Sequence, residues 1–233
     1  MRFLAIETST TLLGAAVLDD ERLLAASSLF LPEHPHAAEL PEMVQRLLKS
    51  TRTSWDQLSA LVVNIGPGSF TGLRIGVAFT KALAFARNIP VVGVASLDVL
   101  AAQAVLAAQP ICPLLDAKRK NVYGAVYHLD AGRLHKRTDY LLGTPEEILV
   151  HLEGPAVFLG EACTVYRDRI LAAQPDSIIL PEDTWWPQPA TLARLGRERF
   201  QAGHKDDPAT LAPLYLYPLN CSIRLEPRAV TAS

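Results

Sequence analysis

The order of predicted strands and helices repeats along this chain, and that repeat constrains its fold more than any other feature. Three strands come first, at 2–7, 13–18 and 23–30, and short polar turns join them as in an antiparallel meander. A helix, a strand and a second helix follow. Residues 111–202 show the same order in smaller pieces, without similarity of sequence to the first half. We therefore expect an α/β protein of two lobes built on one plan.

The predicted lobes differ in size. We place the first at 1–102 and the second, smaller one at 103–233, with a tail beyond Pro208 that is able to return to the first lobe. Ser96 is expected to cap a helix that ends near residue 109, and Thr144 to cap another. The segments expected to be strands in the second lobe are 111–116, 121–129, 134–142 and short pieces near Val157 and Ile178.

The helix predicted at 71–87 carries very little charge. Between residues 72 and 86 only Arg74 and Lys81 are charged, and their spacing of seven puts both on one face. Small residues recur at every fourth position, which invites another helix to pack closely; they are Gly72, Gly76, Thr80 and Ala84. A helix that is apolar nearly all round is buried on more than one side. We expect its own sheet on one side and a second protein on the other; a central helix of a larger core is the alternative.

A glycine-rich turn at 66–72 precedes this helix. It is not a Walker A loop, because no lysine follows its last glycine, and its glycine spacing is one residue too long for the dinucleotide-binding motif. Glycines let the backbone come close to a bulky group, and the first N–H groups of a helix attract anions. The residues leave two interpretations open, a structural turn and an anion or partner site.

The end of the first strand has the form of a phosphate-binding hairpin. In such hairpins a carboxylate, here Glu7, holds metal-bound water beside backbone N–H groups, and a glycine lets the phosphate approach. Thr8, Ser9 and Thr10 stand where that glycine is needed. This substitution argues against a kinase or an ATPase.

Few residues are arranged as metal ligands. His34 and His36 form a His-x-His pair with Glu7 as a conceivable third ligand, but a transition metal needs three or four converging ligands. A helical pair would need a ligand four residues after His36, where Leu40 stands. We expect no metal, no cofactor and no catalytic residue.

Composition excludes several classes of protein. The 233 residues are 49% hydrophobic with a net charge of −2, so the chain is not expected to bind nucleic acid on its own. The widely separated Cys112, Cys163 and Cys221 fit reduced thiols better than a disulfide framework or a zinc site. The sequence has no signal-peptide core and no apolar run of ~18 residues. We expect a soluble, cytoplasmic protein without membrane contact.

Three runs of residues resemble one known family. They lie at 4–10, 66–76 and 116–123, and the middle run, GPGSFTGLRIG, is the most specific. In these runs the chain is similar to the TsaB (YeaZ) family. The resemblance is strongest over residues 1–100 and weaker beyond residue 135.

The resemblance implies a fold and a function. The fold would be actin-like, the type of sugar kinases and heat-shock ATPases, with a mixed sheet and helices in each lobe. The function would be that of a non-catalytic scaffold subunit that binds and activates the catalytic TsaD subunit. With the ATPase TsaE, that complex transfers threonylcarbamoyl to the tRNA adenosine beside the anticodon.

Further expectations concern partners and metal. Because its net charge is near zero, the chain would meet tRNA only as part of the complex. The apolar helix face would lead isolated copies to form homodimers. TsaD relatives carry two metal-binding histidines four residues apart. Matched here, these fall on His36 and Leu40, so the metal pair is broken.

The predicted partner surface joins the two helices of the first lobe. The first helix, near 36–50, is amphipathic and offers an edge, and the second offers its small-residue side. The residues expected to contact TsaD are Leu40, Met43, Leu47, Leu73, Arg74, Gly76, Val77, Thr80, Lys81 and Ala84. Two enzyme-class alternatives are a small actin-fold kinase or ATPase and a metalloprotease; the missing glycine and the missing histidine argue against them.

Overall fold

Two β-sheets organise the protein, which a computed structural model describes over residues 1–31, 36–104 and 108–217. The elements of the first half are β1 (Arg2–Glu7), β2 (Leu12–Asp19), β3 (Arg22–Phe30), α1 (His36–Ser50), β4 (Leu58–Gly66), α2 (Phe70–Arg87), β5 (Val91–Ala95) and α3 (Ser96–Gln103). The elements of the second half are β6 (Ile111–Lys118), β7 (Asn121–Gly124), β8 (Tyr127–Asp130), β9 (Arg133–Lys136), β10 (Leu141–Gly143), α4 (Pro145–Leu149), β11 (Val157–Leu159), α5 (Ala162–Ala173), β12 (Ile178–Ile179) and α6 (Pro189–Gln201). Short 3-10 helices lie at Trp55–Gln57 and Glu182–Thr184.

The first sheet has the strand order β3-β2-β1-β4-β5. Its first three strands are antiparallel, as the meander predicted, whereas β4 and β5 run parallel to β1. β1 lies in the middle of the sheet with helices on both of its faces, and residues 3–6 are fully buried. This explains why its sequence is a continuous apolar run instead of an alternating one.

The second sheet is more divided than the sequence predicts. Its main path is β10-β7-β6-β11-β12, and β8 and β9 form a hairpin attached to β6. The segments predicted as single strands at 121–129 and 134–142 are each split in two, because β7 and β10 pair with each other while β8 and β9 pair separately. Thr144 caps α4 through a capping box, as predicted.

Helices cover both faces of the first sheet. On one face Leu4 and Ile6 of β1 belong to the same core cluster as apolar residues of α1 and α2. On the other face α6, from the second half of the chain, packs on β1, β2 and β4. There the rings of Phe3 and Phe200 lie 5.6 Å apart. A Cβ atom at Gly196 would lie 2.3 Å from Val62 Cγ1, so glycine is needed for this close packing.

The tail after α6 returns along the edge of the first sheet. The Asp206 carboxylate accepts a hydrogen bond of 2.7 Å from the Gly93 N–H, and the Leu214 N–H donates to the Ile65 carbonyl at 2.6 Å. Leu211 is buried in the α1–α2 core. Within the described part of the chain, no helix is both long and apolar enough to cross a bilayer.

Candidate functional site

A buried carboxylate stands at the carboxyl end of β1. Glu7 is fully buried, and its Oε1 accepts hydrogen bonds from the Ser9 N–H at 2.7 Å and the Ser9 hydroxyl at 2.5 Å. Its Oε2 accepts from Asn64 Nδ2 at 2.5 Å. Burial raises the pKa of Glu7 to about 7, and the hydrogen bonds from Ser9 and Asn64 offset only part of that rise.

Asn64 extends this hydrogen-bond network to two further elements. Its Oδ1 accepts from the Gly66 N–H at 2.8 Å and from the Ser96 hydroxyl at 2.7 Å. Ser96 is thus not the cap predicted for α3: it is the first helical residue, and its hydroxyl points into the network. Side chains that hydrogen-bond to one another thus join the ends of β1, β4 and β5. Because these buried polar groups have hydrogen-bond partners, the cluster is held rigid.

The glycine-rich turn lies directly on the first hairpin. The Ser69 N–H donates to the Ser9 carbonyl at 2.7 Å. A Cβ atom at Gly68 would lie 2.2 Å from that same oxygen, and one at Gly72 would lie 2.1 Å from the Thr8 carbonyl oxygen. The close approach that these glycines permit is therefore to the chain's own backbone. Of the two interpretations left open by the sequence, this geometry favours the structural turn.

The small-residue stripe of α2 faces inward, which makes one sequence-based interpretation wrong. A Cβ atom at Gly76 would lie 2.1 Å from Thr8 Oγ1, and Thr80 donates to the Gly76 carbonyl at 2.8 Å. All four residues of the stripe are buried against the chain's own sheet and hairpin. The stripe was expected to receive a partner's helix, but the first hairpin already fills that space.

Most residues of the predicted partner surface lie in the protein's own core. Those that are buried are Leu40, Met43, Leu47, Leu73, Gly76, Val77, Thr80 and Ala84. Lys81 is half-buried, and Arg74 is exposed above the Phe70 ring, 5.1 Å from its centroid. Buried side chains have no exposed area for a partner to contact. A partner that binds these helices would therefore touch the exposed side chains that lie between the buried ones.

The exposed side of α2 is mostly apolar, and its exposed polar residues are Thr71, Arg74 and Arg87. Phe70 is 52% exposed and Phe85 64% exposed, and Ala78 and Ala82 lie open between them. We define the outer surface of α2 as Phe70, Ile75, Ala78, Phe79, Ala82 and Phe85; Ile75 and Phe79 are half-buried at its border. A helix face rich in exposed apolar side chains is typical of an interaction site. The sequence signal for it was the second run of small residues, Ala78, Ala82 and Ala86, at the same spacing as the inner stripe.

Helix α1 and the returning tail both pack beside α2. The solvent side of α1 is charged, with an ion pair between Arg46 and Glu42. At the start of α2 the rings of Phe70 and Tyr215 lie 5.5 Å apart. The outer surface of α2 is therefore an apolar strip between a polar helix and the returning tail.

The histidines do not build a metal site within the described residues. There, no group of three or more His, Cys, Asp or Glu side chains is arranged to hold a metal ion. His36 is buried at the start of α1, where it makes an interaction within the fold. His34 lies outside the described residues.

Comparison with known proteins identifies the family. Residues 30–216 match the family model described as TsaD: tRNA N6-adenosine threonylcarbamoyltransferase. The tRNA threonylcarbamoyladenosine biosynthesis protein TsaB of Bacillus subtilis is 33% identical over 93% of this chain and 94% of its own length. The chain belongs to the TsaB family. TsaB of Escherichia coli is 30% identical over the same shares of the two chains.

Solved structures agree with membership of the TsaB family. YeaZ from Pseudomonas aeruginosa matches 92% of this chain and 99% of its own, with a TM-score of 0.82 and 27% identity. The ethanolamine utilization protein EutJ from Carboxydothermus hydrogenoformans shares the fold alone, with a TM-score of 0.51 and 11% identity. The resemblance to TsaB and the actin-like fold that the sequence implied are both confirmed.

Proposed function

We propose that this TsaB-family chain is a non-catalytic scaffold subunit in tRNA threonylcarbamoyladenosine biosynthesis, and that it binds and activates a catalytic TsaD subunit. The observation that carries the proposal is the apolar outer surface of α2. An exposed strip of alanines flanked by phenylalanines is suited to close helix packing, because alanine lets two backbones approach and phenylalanine fills the space beside them. TsaE and tRNA would join only through the complex.

The chain's own similarity to TsaD supports that choice of partner. Because residues 30–216 match a TsaD family model, a TsaD subunit would carry a helix equivalent to α2. Two related folds can then pair through equivalent helices about an approximate two-fold axis. The same geometry allows two copies of this chain to pair when TsaD is absent, so a homodimer is part of the proposal.

The buried network supports a role without catalysis. In kinases and ATPases of this fold type the first hairpin would have to present a carboxylate and backbone N–H groups to a phosphate. Here the Glu7 carboxylate is taken up by Ser9 and Asn64, and the glycine-rich turn lies on the hairpin. Isothermal titration of the isolated chain with ATP should therefore give weak binding or none, whereas low-micromolar affinity with steady turnover would favour the kinase or ATPase alternative.

Assembly with TsaD of the same organism tests the scaffold role. The mass of the mixture in solution should correspond to a complex of the two chains. Ala82→Glu should abolish that complex, since an unpaired charge in a desolvated interface costs about 3 kcal/mol or more, over a hundredfold in affinity. Modification of tRNA should fail as well, although no reacting group has changed.

Val165→Glu is the matched control. Val165 is 70% exposed on α5, so this change also places a carboxylate at an exposed apolar helix position. It should leave assembly intact. If the folded Ala82→Glu chain pairs with TsaD as tightly as Val165→Glu does, then the outer surface of α2 is not the interface.

A further inference from the structure

The hairpin between β6 and β7 has an unusual basic tip. Lys118 pairs with Asn121 across the hairpin, so Arg119 and Lys120 alone form its two-residue turn. The φ angles of Lys118, Arg119 and Lys120 are 65°, 53° and 65°, which places three successive basic residues in the left-handed region. We call residues 118–120 the basic tip.

The conformation of the turn does not explain why basic residues occupy these positions. A two-residue turn with positive φ at both positions favours asparagine followed by glycine, because glycine has no Cβ to clash and the short asparagine side chain bonds locally. Arginine and lysine offer neither advantage, so they make this hairpin less stable than it could be. Unfavourable backbone conformations that persist in a fold point to a function of the residues that adopt them.

The basic tip concentrates positive charge on a chain whose net charge is −2. All three side chains are exposed. Asp116 is the carboxylate paired with Lys118, at 2.5 Å between Oδ2 and Nζ. Lys120 has no ion-pair partner among residues 1–31, 36–104 and 108–217. The charge of Lys120 is therefore not neutralised by an ion pair within these residues.

The base of the hairpin is fixed. The Tyr217 hydroxyl donates to the Ala117 carbonyl at 2.9 Å, and the rings of Tyr217 and Tyr123 lie 6.2 Å apart. The tail that runs beside α2 is thus also the support of this hairpin. A rigid base presents the tip in one orientation, which lowers the entropy lost when the tip binds a ligand.

We propose that the basic tip contacts the phosphate backbone of tRNA held by the assembled complex; this inference rests on the proposed function. Phosphate oxygens are the ligands that suit it, since arginine binds them through two parallel N–H donors and lysine as a point charge. A protein of negative net charge binds a polyanion such as tRNA only through a local cluster of basic side chains. The basic tip is such a cluster.

A double variant separates the charge of the tip from its geometry. Arg119→Asn with Lys120→Gly removes two positive charges and installs the residues that the turn prefers, so the melting temperature of the chain should stay level or rise. Complexes of TsaD with either the wild-type or the variant chain are titrated with an unmodified tRNA transcript at several salt concentrations. We expect about tenfold weaker binding by the variant complex, and a slope of log affinity against log salt that is shallower by about 1 to 2.

The control removes the same charge from a neighbouring hairpin. Arg133→Gln with Lys136→Gln acts on β9, where both side chains are exposed, and should leave tRNA affinity within about twofold, since contacts that position phosphate are local. Wild-type affinity and salt slope in the tip variant would overturn the inference, as would an equal loss in the control. A tip variant that loses affinity for TsaD instead would assign the tip to an acidic protein surface. Failure of the wild-type chains to assemble, seen before any tRNA is added, would refute the proposed function.

Discussion

The ammonium nitrogen of Lys81 lies 3.0 Å from the carbonyl oxygen of Leu211 and 3.2 Å from that of Ala209. One side chain of α2 thus fastens the returning tail. Lys81→Met keeps most of the aliphatic stem and removes the donors, so the free energy of unfolding in urea should fall by about 1 kcal/mol. Limited proteolysis should also cut residues 206–217 faster. Lys49→Met, at an exposed position on α1, is the control and should change neither measurement.

The stability of the protein should depend on pH through Glu7. Burial raises the pKa of this carboxyl from 4.5 to about 7, so between these values the folded chain holds a proton that the unfolded chain releases. The contribution of Glu7 to stability is then fully present below pH 4.5 and is lost as the pH rises to 7, a change of about 3 kcal/mol.

Glu7→Gln, which cannot titrate at this position, isolates that effect. Denaturant titrations at several pH values give the unfolding free energies of the wild type and of the variant. The value of the wild type minus that of the variant should decrease between pH 4.5 and 7 and stay constant above pH 7. A difference that increases over this range would mean that the hydrogen bonds from Ser9 and Asn64 outweigh burial.

The contact between the glycine-rich turn and the first hairpin can be tested with one methyl group. Gly68→Ala would place a Cβ atom 2.2 Å from the Ser9 carbonyl oxygen, and the resulting shift of the backbone should destabilise the protein by about 2 kcal/mol. Gly154→Ala is the matched change, because a Cβ atom there meets nothing within 4 Å. Equal melting temperatures for the two variants would show that the turn does not rest on the hairpin.

The two described cysteines should be protected from thiol reagents. Cys112 and Cys163 are buried; burial raises the pKa of the Cys112 thiol far above its usual range and that of Cys163 to about 12. Since the thiolate is the reactive form, a Cys221→Ser chain should react slowly with a disulfide reagent when native and quickly in denaturant. Fast reaction of the native chain would reveal opening of the core of the second sheet, in which both cysteines lie.

Sequence patterns predicted the first sheet well because each pattern there had one structural cause. The apolar run of β1 was predicted at 2–7 and is observed at Arg2–Glu7, since a strand covered on both faces needs no alternation. The second sheet was predicted less well: pairing partners decide where its short strands end, and β7 pairs with β10 across the intervening β8–β9 hairpin.

The candidate site shows why periodicity alone was not enough. Two sets of small residues recur at every fourth position of α2, one beginning at Gly72 and the other at Ala78. Both satisfy the same helical spacing, so the sequence does not say which one faces the sheet. The position of Thr8 decides it, because only a residue without a Cβ fits at Gly76. That contact joins residues distant in sequence.

The packing of α6 on the first sheet sets an order of events during synthesis. Phe3 of β1 is synthesised well before Leu192 and Ala193 of α6, which share its core cluster. Until α6 emerges, this face of the sheet lacks most of its cover: Val99 of α3 packs there, but the remaining apolar side chains are open to other chains or to chaperones. A fragment that ends at residue 102 would remain in that state, so the first sheet depends on the later synthesis of α6 for its own completion.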